Sequence, residues 1–179
     1  MRPMTKDDIM PFCSNLSPNM FAPWSKGEYT YATNGHMIVR VPRLEDVPER
    51  EDAPSTDSVF PYKEPTNWID FADIELPEKE MADCSKCNGD KTYHHEECPD
   101  CDGHDCEECD RTGKVAIRQP VPVGNTHYQI VYLSILKGLP NCKIGPNADP
   151  MNYAVFKFDG GDGLLMPMKP FGEWKEVKS

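Results

Sequence analysis

The chain is short of basic charge. Its 19 lysines and arginines face 30 aspartates and glutamates, which leaves a net charge of -11 at pH 7. That balance excludes a general electrostatic grip on nucleic acid phosphates, so any DNA contact has to be local or indirect. Apolar residues are few as well. A hydrophobic content of 38% supports only a modest core, and no run approaches the roughly 20 apolar residues of a membrane-spanning helix. Met1 to Met10 carries charges in its first positions and no apolar stretch that could serve as a signal-peptide core. The sequence thus reads as cytoplasmic, with no membrane partner.

What is abundant points elsewhere. The 18 prolines imply that much of the 179-residue chain is loop or extended connection. In a reducing compartment the 8 cysteines favour metal ligation or free thiols over structural disulfides. Six of them fall in three units: Cys84-Ser-Lys-Cys87-Asn-Gly89, Cys98-Pro-Asp-Cys101-Asp-Gly103 and Cys106-Glu-Glu-Cys109-Asp-Arg-Thr-Gly113. In each, two cysteines spaced by two residues turn both sulfurs toward one point, and a nearby glycine lets the backbone curl around a metal. Zinc suits such thiolate-rich tetrahedral sites, with iron a substitute in expressed material. Two units make one four-cysteine site and leave two thiolates over. His94, His95 and His104 lie close enough to complete a second site, for two zinc ions in all. One assignment pairs Cys84 and Cys87 with Cys106 and Cys109, leaving Cys98 and Cys101 to recruit His95 and His104; the spacing leaves the pairing open. Cys13 and Cys142 read as buried thiols.

Around this module, taken as residues 80–113, the pattern is that of an α+β body made of residues 1–79 and 114–179. Thr5 and Asp8 form a weak helix start before Pro11. Glu28 to Val41 alternates about Asn34-Gly35, which predicts a β-hairpin with a type I′ turn. Pro42 to Pro65 is acidic and proline-punctuated, a long surface loop. Trp68 to Leu76 alternates loosely as a strand or edge segment, and Lys114 to Val123 has the β-branched content of a strand. A capping box at Thr126 and Gln129 predicts a helix over 127–137, closed by Gly138 and Pro140. Tyr153 to Phe158 and Leu164 to Met168 read as a final hairpin joined by a turn through Asp159 to Gly163.

The cysteine units resemble the Cys-x-x-Cys-x-Gly repeats of the zinc-binding region of the DnaJ chaperone family. Three stand here in place of that family's four, the third has its glycine later, and nothing matches a J-domain with its His-Pro-Asp signature. The resemblance implies zinc and a ribbon-like fold. With the module removed, the remaining pieces resemble a single domain of the bacterial DNA polymerase sliding clamp, the β subunit. Two stretches carry this: Tyr31-Ala-Thr-Asn-Gly-His36-Met-Ile-Val-Arg40, and the helix with Tyr132-Leu-Ser-Ile-Leu-Lys-Gly-Leu139 followed by a hairpin ending Leu165-Met166-Pro167-Met168-Lys169. The resemblance implies an antiparallel sheet with one or two helices, interrupted by the zinc ribbon. It also marks Thr33, Gly35, His36, Met37, Met166, Pro167 and Met168 as an apolar surface for partner peptides. A clamp subunit joins three such domains and this chain has length for one, so a ring would need several copies, a homo-oligomer.

No catalytic constellation stands out. Ser134 and His127 fall in the predicted helix, Asp159 and Asp162 fall in a glycine-rich turn, and thiolate-saturated knuckles are closed sites that stabilise folding. The expectation is a non-enzymatic, zinc-binding, clamp-like protein, phage-encoded or otherwise mobile, that binds a replication or repair partner. The alternatives are a zinc-ribbon adaptor or chaperone-like module, and an acidic surface that mimics nucleic acid.

Overall fold

The structure, a computed structural model, describes residues 3–14, 19–93, 104–109 and 111–168. In its first half the described elements are α1 (Lys6–Ile9), β1 (Trp24–Lys26), β2 (Tyr29–Thr33), β3 (Met37–Pro42), β4 (Ile69–Asp70), β5 (Met81–Asp83) and β6 (Thr92–Tyr93). Then come β7 (His104–Asp105), β8 (Lys114–Ala116), β9 (Pro120–Val123), β10 (Thr126–Gln129), α2 (Ile130–Lys137), β11 (Lys143–Gly145), β12 (Ala154–Phe158) and β13 (Gly161–Leu165). Every named strand pair is antiparallel. With two short helices, this is an α+β architecture. Among the described residues no helix is long and apolar enough to cross a membrane. The chain divides into two compact units, Met1–Leu76 with Pro120–Ser179 (the body) and Pro77–Gln119 (the insertion).

The body is built on a seven-stranded sheet in the order β1-β2-β3-β13-β12-β11-β4. Period-two alternation gives it two different faces. On one, Ala32, Met37, Val39, Val41, Phe156, Phe158, Leu165 and Ile144 join Ile9 and Phe12 of the amino-terminal turns and Ile130, Leu133 and Leu136 of α2 in the main core. On the other, Trp24, Tyr31, Arg40, Asp162, Lys157, Lys143 and Asp70 are successive cross-strand partners in one row that spans all seven strands. Arg40 sits in that row with its guanidinium 4.2 Å from the Phe60 ring centroid and 4.7 Å from that of Tyr29. It makes two bonds to Asp162, at 2.7 and 3.0 Å, and the Tyr62 hydroxyl donates to the same carboxylate. These contacts bring part of the long 42–65 segment down on the sheet. That segment has no helix or named strand beyond Pro42, yet it buries Val47 and Phe60, so it is more than a surface loop.

Several local expectations change. Thr126–Gln129 is a strand, not the start of a helix: it pairs with β9 from Thr126↔Val123 to Gln129↔Pro120. Thr126 and Tyr128 are buried while His127 is exposed, a period of two. Residues 127 and 128, which a capping box would place in the first helical turn, stay extended in the ladder, and α2 begins only at Ile130. The strand expected over Lys114 to Val123 is two strands, β8 and β9, which pair with β5 and β10 respectively. In the first hairpin the positive φ falls on Gly35 alone. A type I′ turn needs it at both central residues, whereas Gly at the first central position is the II′ pattern. The turn therefore centres on Gly35-His36, with the Asn34 side chain accepting the amides of His36 and Met37 at 3.0 Å each. At the chain start Asp8 does accept both the Thr5 amide and its hydroxyl, at 2.8 Å each.

The largest misreading is in the last hairpin. Its turn is only Asp159-Gly160, because Phe158 pairs with Gly161 and Phe156 with Gly163. The two glycines are strand residues on the core side, and the rings of Phe158 and Phe156 occupy the space their β-carbons would fill. A β-carbon on Gly163 would strike both the Phe156 ring and the Ile38 carbonyl oxygen. Gly163→Ala is therefore expected to destabilise the body by about 1–3 kcal/mol through overpacking. The check is a lower urea midpoint at unchanged m-value; an unchanged midpoint would show that the Phe156 ring has room to move.

Candidate metal centre

The insertion is organised around two of the three cysteine units. β5 pairs with β8 from Met81↔Ala116 to Asp83↔Lys114, and the Cys84 amide continues the ladder by donating to the Gly113 carbonyl at 2.9 Å. Cys84 thus leaves one strand just where the second knuckle returns to the other. Cys106 is placed by its amide, which donates to the Lys91 carbonyl at 2.8 Å. After each cysteine pair the chain turns back through left-handed residues, Asn88 and Gly89 on one side and Arg111 and Gly113 on the other. The two turns touch. A β-carbon on Gly113 would be driven into the Gly89 carbonyl oxygen, so the knuckles reach their observed spacing only because position 113 has none.

The ligand atoms of Cys84, Cys87, Cys106 and Cys109 all lie within 4.8 Å of one another. Each thiol is buried, at 0 to 5% exposure. Sγ of Cys84 is 3.7 Å from Sγ of Cys106, and Sγ of Cys87 is 3.7 Å from Sγ of Cys109. A disulfide needs about 2.05 Å. Four sulfurs set about 2.3 Å from a tetrahedral zinc stand about 3.8 Å apart, so the observed separations fit a metal centre. The donor set fits too, because four thiols suit a thiophilic divalent cation. The group can hold a metal ion such as zinc.

Electrostatics within the group are uneven. Burial raises the Cys109 thiol, but the Gly113 amide donated to its sulfur at 3.3 Å and the neighbouring thiols outweigh that and pull it down to about 7. At Cys106, burial and the adjacent thiols combine to push it up to about 12. Cys109 is thus the thiol whose charge the backbone is set to receive, through the Gly113 amide.

The other expected ligands are placed differently. Cys98, Cys101 and His95, with His94, lie outside the described residues. His104 is in β7, paired across to Tyr93 and exposed, and is not part of the four-thiol group. Cys13 is half-buried and Cys142 buried, both as free thiols whose pKa burial pushes up, to about 11 and about 12.

The seven residues marked as a peptide surface belong to the body. Met37 and Met168 are buried, at 2 and 8% exposure. Thr33 is buried and its hydroxyl donates to the Met37 carbonyl at 2.7 Å. Gly35, His36 and Met166 are exposed and Pro167 is half-buried. The two motifs meet in space: Leu165 pairs with Met37, the Met166 amide donates to the His36 carbonyl at 2.8 Å, and the Met168 amide donates to that of His127 at 2.8 Å. The His36 ring stacks on Tyr132 of α2 with centroids 5.4 Å apart. Tyr132 and Met20, whose thioether lies beside Gly35, had no place in the sequence-based set. The half-buried Tyr132, one turn from buried Leu136, was a helix-face signal; nothing in the sequence pointed to Met20.

Two measurements check the centre. On cobalt substitution the native chain should give a thiolate-to-cobalt charge-transfer band, and Cys84→Ser or Cys109→Ser should weaken it, because three thiolates remain in place of four. Gly113→Ala, which leaves all four ligands in place, should weaken zinc affinity about 10–100-fold, as loss of outer support does in other metal sites. An unchanged affinity would mean that contact between the two turns does not set the thiol spacing.

No family model, curated protein or solved structure matches this chain, so the nature of the centre rests on its donor set and its geometry.

Proposed function

We propose that the chain is a non-enzymatic, zinc-stabilised protein that binds a partner of the replication or repair machinery through the ledge at His36, Tyr132 and Met166. One observation carries this reading: the two stretches that resemble sliding-clamp motifs, remote from each other in sequence, are hydrogen-bonded neighbours through Met166 and His36. Met166 is 49% exposed there, an adaptable thioether beside a ring pair, which suits a short apolar peptide. Val131 and Ile135, half-buried on α2, add apolar surface on that helix. The resemblance supplies the class of partner. In this reading the metal centre has a structural role, because four thiolates leave no open coordination position for a substrate.

A fluorescent clamp-recognition peptide titrated with the full chain tests the proposal. Native protein should bind, and Met166→Ala and Tyr132→Ala should each weaken binding about tenfold or more, as truncation of an interface anchor does. Met166 is exposed, so its loss should leave the fold intact. Absence of binding by native protein would remove the reading.

A further inference from the structure

The described residues of the insertion form almost no interior of their own. Among its described residues, the four cysteines and Gly113 are the buried ones. Among the described residues, the apolar side chain packed against the thiols is Val115, and that is half-buried, while Met81 is 53% exposed. The strands are short: β5 and β8 have three residues each, β6 and β7 two each. Hairpins of that length are not stable in water without a face to bury. The ion pairs Lys114–Asp83 and Arg111–Asp105 join side chains that are all more than half exposed, a class of contact that contributes little. The turns also place Asn88, Lys91 and Arg111 at positive φ, which costs a non-glycine residue. Among the described residues, the strong interaction that can stand against these costs is that of a metal with the four thiolates.

The body is the opposite case. Among the described residues, its main core and its Trp24, Tyr31 and Phe60 cluster are built from the body's own side chains.

We infer that the insertion is a conditional fold, ordered when a thiophilic divalent cation is bound and unfolded without it, in a body that keeps its structure in both states. The free energy of metal binding is then the folding free energy of the insertion's described residues, 77–93, 104–109 and 111–119. The supply of that cation decides whether the chain displays a folded arm or a released loop anchored at both ends. This goes beyond the partner-binding reading and rests only on the four-thiol group. It has a consequence that a preformed site would lack: a change in the insertion remote from the ligands has to weaken metal affinity, because it raises the cost of the folding that binding drives.

Hydrogen exchange on the full chain, with zinc and after removal of zinc by EDTA, tests the inference. Amides of Cys84, Asp90, Cys106 and Ile117, all hydrogen-bonded within the insertion, should be protected with zinc and exchange freely without it. Those of Val39 and Phe156 in the body sheet should keep their protection. In parallel, zinc competition against a colorimetric chelator should show affinity lowered about tenfold or more in Ile117→Pro, which removes the amide donated to the Glu80 carbonyl at the end of the β5–β8 ladder away from the thiols, and unchanged in Ile117→Val; native affinity in Ile117→Pro would overturn the inference. Protected insertion amides in the zinc-free chain would overturn the inference in favour of a preformed site. Loss of protection in the body together with the insertion would overturn it in favour of one cooperative unit. If native chain takes up no zinc, the metal centre itself fails; peptide binding at Met166 is a separate measurement and is not decided by any of these outcomes.

Discussion

The packing of Phe156 and Phe158 over Gly163 and Gly161 is the contact on which the body depends. It lets β13 lie between β3 and β12 with large rings on the core side, where ordinary side chains would force the strands apart or turn the rings out. Once β13 is seated, its alternation fixes what lies on either side of it. Asp162 between the two glycines points to the opposite face and meets Arg40. Leu165 pairs with Met37 and delivers Met166 to the turn at His36. The core, the polar row on the other face and the ledge at Met166 therefore share one cause, a strand that lacks β-carbons at two core-facing positions.

The insertion solves a different problem with the same device. Gly113 has no β-carbon, so two turns approach closely enough for four sulfurs to converge. In the body, glycine makes room for apolar rings, and the hydrophobic effect holds the result. In the insertion it makes room for backbone against backbone, and among the described residues the four thiols it brings together can hold a metal ion. The two units draw their stability from different sources, although one chain runs through both.

The readings from sequence succeeded where the signal is local and spacing-driven. Paired cysteines with a following glycine identify a knuckle because the turn is set by a few adjacent residues, and the alternation from Tyr29 to Val41 identifies a hairpin for the same reason. They failed where a residue's role depends on what lies across from it. Gly161 and Gly163 looked like turn residues because glycine costs a strand entropy; the rings that occupy their missing β-carbons are known only from the pairing. Thr126 and Gln129 carry a genuine helix-start pattern, but pairing with β9 holds residues 126–129 extended.

What the sequence determined alone is thus the donor chemistry, the knuckle spacing, the α+β pattern and the acidic balance of charge, all properties of composition or of neighbours along the chain. Which two of the three cysteine units meet was left open by their spacing, since all three are equivalent ligand pairs. Only the tertiary structure brought Cys84 and Cys87 together with Cys106 and Cys109, because the β5–β8 ladder and the contact between Gly113 and Gly89 act between segments that are distant in sequence. The ledge at His36, Tyr132 and Met166 was decided the same way. Backbone hydrogen bonds between remote strands, which no local pattern encodes, made one surface of two motifs.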